Sequence, residues 1–399
     1  MSGLPPIDGS RAPRGSDAGG IAGITQVAVA VAATSGTKTV GYGRRAVGGA
    51  GGARRVVRNL KNSGPGSLRA ALEGRGRRVV VFRVGGTIKL SSPIRIKYPY
   101  ITVRGGTART PGITVRGDAI MVVTHDVILR NLRLRPGDNS QNPSETDALT
   151  LNGAGGKPVY NVVVDHVSMT WGPDIGGLAI LGDVSHVTIQ NSVMGEGLYL
   201  SAHPEAKRAL GGHSTAANVT PMNNNGLQPR YLTFWHNLFT TSDERMPRLQ
   251  AASCTDVVNN LIFNWGLKAA AGNPRSLNLV GNWFRRGPMT RRLEIWHSQT
   301  SGVAPSLFGR SIYQAGNVTD GFAFRRGGAP KVFASTARCG GLSVRRQPAF
   351  EARAAVMSGA GAILPLRDSV DRRVIANVRN RVGRYFNGAG YSGPNPYWP

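Results

Sequence analysis

The feature of this 399-residue chain that most limits its fold is a short segment that recurs six times. The copies read VILRNLRL from Val127, VVVDHVSM from Val162, VTIQNSVM from Val187, LTFWHNLF from Leu232, TDVVNNLIF from Thr255 and LNLVGNWF from Leu277. Each consists of two runs of alternating apolar residues separated by a polar corner, the pattern of two strands joined at a bend. Their starts lie 35, 25, 45, 23 and 22 residues apart. The spacings of 22 to 25 suit one coil of a parallel β-solenoid, and the longer gaps read as coils with loop insertions or an extra turn between them. A hairpin sandwich would instead place turn signals every ~8–12 residues and keep no such register.

In the last three copies Asn237, Asn260 and Asn282 occupy the same place, 23 and 22 residues apart. Stacked on successive coils, their amides can bond along the solenoid axis and satisfy backbone groups that burial would leave unpaired. From Val79 onward the chain is made of short β-branched runs bounded by Gly, Asn, Asp or Pro, such as Val79 to Val84, Ile94 to Ile96 and Ile113 to Val115. The fold class is therefore all-β. A solenoid needs caps, because each open end exposes a hydrophobic coil and a sheet edge. Ser67 in GSLRAAL is placed to cap a short helix with Leu68 and Leu72 on one face. Near the C-terminus Asp368 precedes Val370, Val374, Ile375, Val378 and Val382, an amphipathic helix with Gly383 as its stop.

Three regions follow. Residues 1–52 read as a flexible Gly/Ala/Pro-rich arm or a possible signal region, 53–345 as the solenoid, and 346–399 as the C-terminal helix with a Pro/Gly tail packed on it. The apolar stretch Ile21 to Ala33 is too short to span a bilayer. Asp8 and Asp17 offset Arg11 and Arg14, so the positive lead of a secretory signal is missing, and both readings of the arm stay open. The glycine-rich VGGAGGAR from Val47 has no strand-to-helix frame and reads as linker.

Basic residues outnumber acidic ones by 49 to 21, giving a formal charge of +28. Such a chain attracts polyanions: nucleic acid, acidic polysaccharide and anionic membrane surfaces all qualify, and charge does not choose among them. Few aromatics interleave with the arginines, so no stacking platform for nucleic-acid bases emerges. Cys254 and Cys339 allow at most one disulfide and exclude a CxxC metal or redox module.

Several segments resemble the pectate lyases, a family whose fold is a right-handed parallel β-helix. They are NSGPGSLRAAL from Asn62, VVVFRVGGTI from Val79, TDALTL from Thr146, VVVDHVSMTW from Val162, MGEGL from Met194, WHNLFTTSDERMPRL from Trp235 and LPLRDSVDRRVIANVRN from Leu364, in the family's order across about residues 55–385. The resemblance implies a right-handed parallel β-helix with a short N-terminal capping helix and a C-terminal amphipathic helix. It also implies Ca²⁺-assisted β-elimination on polygalacturonate or a related uronate polymer, outside the cell or as part of an extracellular assembly.

Calcium takes several oxygen ligands, so carboxylates should converge on one face. By the resemblance Asp147 matches the first ligand and Asp174 a second acidic position. Glu145, two residues before Asp147, would project to the same side of an extended strand. The next acidic position falls at Leu178, a departure. Arg245, in RMP, matches the arginine that acts as base, and Arg248 would clamp a uronate carboxylate bidentately; the motif's second arginine falls at Gln250, another departure. Lys207 and Arg208, with His203 and His213, belong to an insertion that would overhang the cleft, and Lys207 or Arg208 would bind substrate. Asp165 and His166 read as structural, since no serine or cysteine nucleophile accompanies them. The rival reading is a non-catalytic β-helix, a viral or surface appendage that holds a polyanion without cutting it; nucleic-acid binding comes third.

Overall fold

The computed structural model describes residues 38–386 apart from 139, 209–211, 223–226, 299–310, 323–324 and 328–331. The expectations for residues 1–37 and for the tail past 386 lie outside the described residues.

The alternating runs become three parallel sheets of eleven, nine and nine strands, which the chain visits in turn once per coil. In the first sheet Val80, Val103, Leu129, Val164, Ile189, Phe234, Val257 and Leu279 stack in register and point inward. Each is at most 1% exposed, so the row forms a continuous apolar spine.

At the corner between the first and second sheets the chain turns through a left-handed residue on successive coils: Asn131, His166, Asn191, His236 and Asn259, with φ between 48° and 57°. Asparagine tolerates this conformation because its short polar side chain bonds locally. His166 stands in the same ladder with Nδ1 2.7 Å from Asp165 Oδ1, which makes that pair part of the corner. On the later coils the next residue carries the asparagine ladder. Asn237 Nδ2 donates to Asn260 Oδ1, Asn260 Nδ2 to Asn282 Oδ1 and Asn282 Nδ2 to Asn317 Oδ1, each at 3.0 Å. The ladder thus extends one coil past the three asparagines read from the sequence. Asn260 Oδ1 also accepts the buried Asn237 N–H at 2.9 Å. Asn260→Ala takes the acceptor from the Asn237 N–H and one of two from Asn237 Nδ2, which keeps Ile189 O at 2.8 Å, and at about 1–3 kcal/mol per orphaned buried group the expected loss is about 1–3 kcal/mol. Chemical denaturation measures it.

The first helix, α1 (Leu68–Leu72), has Ser67 as its cap, whose hydroxyl accepts the Ala70 N–H at 3.2 Å. The buried guanidinium of Arg78 donates to its last carbonyls, Ala71 O at 3.1 Å and Leu72 O at 2.6 Å. Next come α2 (Pro204–Arg208) in the long insertion, α3 (Ala349–Gly359), which the sequence reading did not anticipate, and α4 (Ser369–Asn380). Asp368 caps α4, accepting the Asp371 N–H at 2.9 Å. Val374, Ile375 and Val378 of α4 and Val356 of α3 pack on Val193, Leu238, Leu261 and Phe263 of the second sheet. The helix stops before Gly383: Arg381 takes the left-handed conformation at φ 55°, and Val382 stands exposed.

The largest departure concerns residues 38–52, expected as the end of a flexible arm or possible signal region running into a glycine-rich linker. They run along the outer face of the first sheet, where a row of hydroxyls receives the strap's backbone. Tyr42 N donates to Thr233 Oγ1 at 3.0 Å, Gly43 N to Thr188 Oγ1 at 2.9 Å and Gly49 N to Thr102 Oγ1 at 2.9 Å. A Cβ at Gly43 would lie 2.7 Å from Thr188 N and from Val162 O, so the glycine permits the close approach. Residues 338–347 continue along the same face. Ser343 N bonds Asp256 Oδ2 at 2.6 Å, and Cys339 is joined to Cys254.

Candidate active site

The outward side chains of the third sheet form the floor of the site. Arg95, Met121, Thr150, Ala179, Asn218 and Arg248 are in register on successive coils. A cavity of about 550 Å³ lies over the earlier members of this row, and Asp118, Glu145, Asp147 and Asp174 also line it. A larger one, about 640 Å³, sits beside Arg54, Arg55 and Arg58, and no carboxylate lines it.

Asp147 ends the turn before the strand Leu149–Gly153 and is buried. Its Oδ2 accepts the Thr150 hydroxyl at 2.7 Å and its Oδ1 the Ile175 N–H at 3.2 Å. Burial, and next the charge of Asp174, push its carboxyl well above the usual range, while Thr150, Ile175 and Arg245 pull the other way. Two carboxylates that repel in a buried setting favour a cation between them. Glu145 lines the same cavity but not from a strand: it closes the 3₁₀ turn Pro143–Glu145 and is exposed, so the extended-strand argument for its direction fails.

Leu178 and Gln250, the two departures from the family pattern, are both buried. Leu178 pairs with Leu149 and Ala217 in the apolar interior. Gln250 is buried, its Oε1 accepting the Asn273 N–H at 2.9 Å. Neither position opens a gap in the outward row. Asp183 is held by Arg230 at 2.7 Å.

Arg245 adopts a left-handed conformation at φ 63°. Its Nε lies 3.3 Å from Glu244 Oε1, and Lys268 Nζ lies 2.7 Å from Glu244 Oε2, so one half-buried carboxylate holds two cations together. Arg248 donates to Asn218 Oδ1 at 3.3 Å, tying the arginine coil to the floor of the cavity. Burial, and then the Arg245 charge, lower the Arg248 guanidinium to about 10. Lys207 and Arg208 close α2, and their side chains lie outside the described residues.

Three further groups escaped the sequence reading. Glu244 and Lys268 are the partners just named; Glu244 adjoins Arg245, but nothing in the sequence ties it to Lys268. Asp118 stands two residues before Ile120 as Asp147 does before Leu149, and those two residues are paired, so both acids occupy one register position on adjacent coils. His203 and His213, expected only to overhang the cleft, stack with ring centroids 4.4 Å apart beside Asp174, and with it could hold a metal ion.

No family model matches the chain. A probable pectate lyase C of Aspergillus flavus is 35% identical over 256 residues, 63% of this chain and 54% of the relative, so the chain spans about half the length of that protein. Among solved structures, jun a 1, the major allergen from cedar pollen, superposes with a TM-score of 0.61 at 18% identity over 81% of this chain and 92% of its own. A pectate lyase from a Bacillus species in complex with trigalacturonate gives 0.54 at 16% identity over 81% and 98%. At these identities the structures bear on the fold, a parallel β-helix. The sequence relation extends further, because a probable pectate lyase C of Aspergillus fumigatus is 30% identical over 374 residues, 90% of this chain and 80% of the relative. With nearly its whole length aligned at that identity, the chain belongs to the pectate lyase family.

Proposed function

We propose that this protein cleaves polygalacturonate, or a related uronate polymer, by calcium-assisted β-elimination. The observation that carries the reading is the junction of the Asp147–Asp174 carboxylate pair with Arg245 and Arg248 along one sheet face, beside a cavity. The donor set fits a hard cation, since it offers carboxylate oxygens from Asp147, Asp174 and Glu145, two of them, Asp147 and Asp174, in a mutually repelling pair. These three residues would hold calcium. When bound, the ion neutralises the uronate carboxylate and acidifies the neighbouring C5 proton.

Arg248 binds a substrate carboxylate as a cation, a state it keeps up to about pH 10. Arg245, fixed through Glu244 and Lys268, stands at the C5 proton. The proton leaves C5, its electron pair forms the C4–C5 double bond, the C4–oxygen bond breaks, and the leaving oxygen is protonated. As a free base Arg245 needs a deprotonated guanidinium at the moment of transfer. The Cys254–Cys339 disulfide supports an extracellular setting, where such bonds persist. Among the described residues no helix is long and apolar enough to cross a membrane.

A calcium titration of the lyase rate tests the reading. Chelator is expected to abolish activity. Asp147→Asn is expected to raise the calcium needed for half-maximal rate by more than the ~10–100-fold that loss of an outer supporting partner costs. Activity indifferent to chelator and to Asp147→Asn would overturn the calcium assignment, and retention on the polymer with no double bond formed would favour the binding-only reading.

A further inference from the structure

Asp174 faces two sets of partners. On one side stands Asp147, and on the other the buried imidazoles of His203 and His213. The Oδ1 atom of Asp174 is 3.4 Å from His213 Nε2 and 3.8 Å from His203 Nε2, and one donor atom from each residue fits within 4.8 Å of the others. Tetrahedral bonds of about 2.0–2.1 Å set neighbouring donors roughly 3.4 Å apart. The Asp174–His213 pair already has that separation; His203, at 3.8 Å from Asp174 and with its ring parallel to that of His213, has to close in and turn its ring for both Nε2 lone pairs to meet one ion.

We propose that Asp174, His203 and His213 form a binding site for a transition-metal ion of the zinc and cobalt class, separate in chemistry from the calcium site and sharing Asp174 with it. Imidazole nitrogen is a poor ligand for calcium and a preferred one for zinc, cobalt and nickel. The supporting partner that such sites need is present. Glu205 Oε2 lies 3.2 Å from His213 Nδ1 and accepts the Nδ1–H when Nε2 takes the ion. His203 is the weaker ligand, because its Nδ1 accepts the Glu205 N–H at 3.0 Å. Loading through its Nε2 moves the ring proton to Nδ1 and breaks that bond. Three protein ligands leave the fourth position open to water or to a uronate carboxylate. An ion held there draws Asp174 away from Asp147, so zinc-class metals act against calcium.

The test needs no lyase activity. Cobalt(II) is titrated into the full chain after chelator treatment, with calorimetry and the visible absorption of four-coordinate cobalt as readouts. One saturable equivalent with those bands is expected, retained in Asp147→Asn, lost in His213→Ala and weakened about 10–100-fold in Glu205→Ala. Thermal unfolding checks each variant, and should His213→Ala fail to fold, Glu205→Ala decides, since its side chain is exposed. Absence of saturable binding to the wild type, or unchanged affinity in Glu205→Ala together with unchanged or untestable His213→Ala, would overturn the site.

Discussion

Arg245→Ala is expected to lower the rate of elimination on polygalacturonate by about 10²–10⁴-fold, the range that a positioned proton-transfer group contributes. The expectation rests on placement. Arg245 reaches Asp147 electrostatically, neighbours Arg248 and is fixed by Glu244 and Lys268, and in the proposed reaction its guanidinium would face the C5 proton of a uronate bridged to the carboxylate pair by calcium. The residue borders the interior through Met246, which is fully buried, so circular dichroism and thermal unfolding accompany the rates. A folded Arg245→Ala variant that keeps its rate within tenfold of wild type would move the base elsewhere. Arg248 would then come first, since its guanidinium is the one lowered to about 10 by burial and by Arg245.

The largest expected loss of stability is at Arg135. Its guanidinium lies 2.6 Å from Asp368 Oδ2 and 2.7 Å from Asp371 Oδ1 and stands over the Trp171 ring at 5.3 Å. Asp371 Oδ2 in turn accepts the Ser168 hydroxyl at 2.5 Å, so the network pins the N-terminus of α4 to the second sheet. Arg135→Met leaves the buried Asp371 without its ion-pair partner and Asp368 with Arg133 alone at 3.3 Å, and breaking such a network costs about 3–5 kcal/mol. Release of α4 would expose Val193, Leu238, Leu261 and Phe263. Burial raises the Asp368 carboxyl, but Arg135 and then Arg133 outweigh it and hold it below its ordinary value. A depressed folded value means that this stability is present above the ordinary carboxylate range and is lost as pH falls through the depressed value. Denaturation midpoints against pH are therefore expected to lose part of their acid dependence in Arg135→Met. An unchanged midpoint would remove the network from the account of how α4 is held.

The coils were legible because each repeat buries the same rows, so Val164, Ile189, Phe234 and Val257 carry one signal at one spacing. The asparagine ladder was legible for the same reason. The strap over residues 38–52 was not, because it is held by backbone N–H groups on threonine hydroxyls and needs glycine for close approach, which leaves no apolar period to read. Leu178 and Gln250 looked like missing site residues when matched to the family pattern, yet strand alternation turns Leu178 inward, and Gln250, just past the strand Arg248–Leu249, spends its side chain on the Asn273 N–H of the next coil. Asp147 and Arg245 came from motif resemblance, and their neighbours Glu244 and Lys268 needed the coil register to bring them together. His203 and His213 meet through the path of an irregular insertion, which no periodicity governs.

The central claim is elimination, and its most direct measurement is the fate of polygalacturonate incubated with the wild-type chain and calcium. The account predicts a calcium-dependent rise in the ultraviolet absorbance of the C4–C5 double bond, with product masses that sum to the polymer without added water. Cleavage products whose masses sum to the polymer plus one water per bond cut, or an unchanged polymer with flat absorbance while the chain is folded and loaded with calcium, would contradict it.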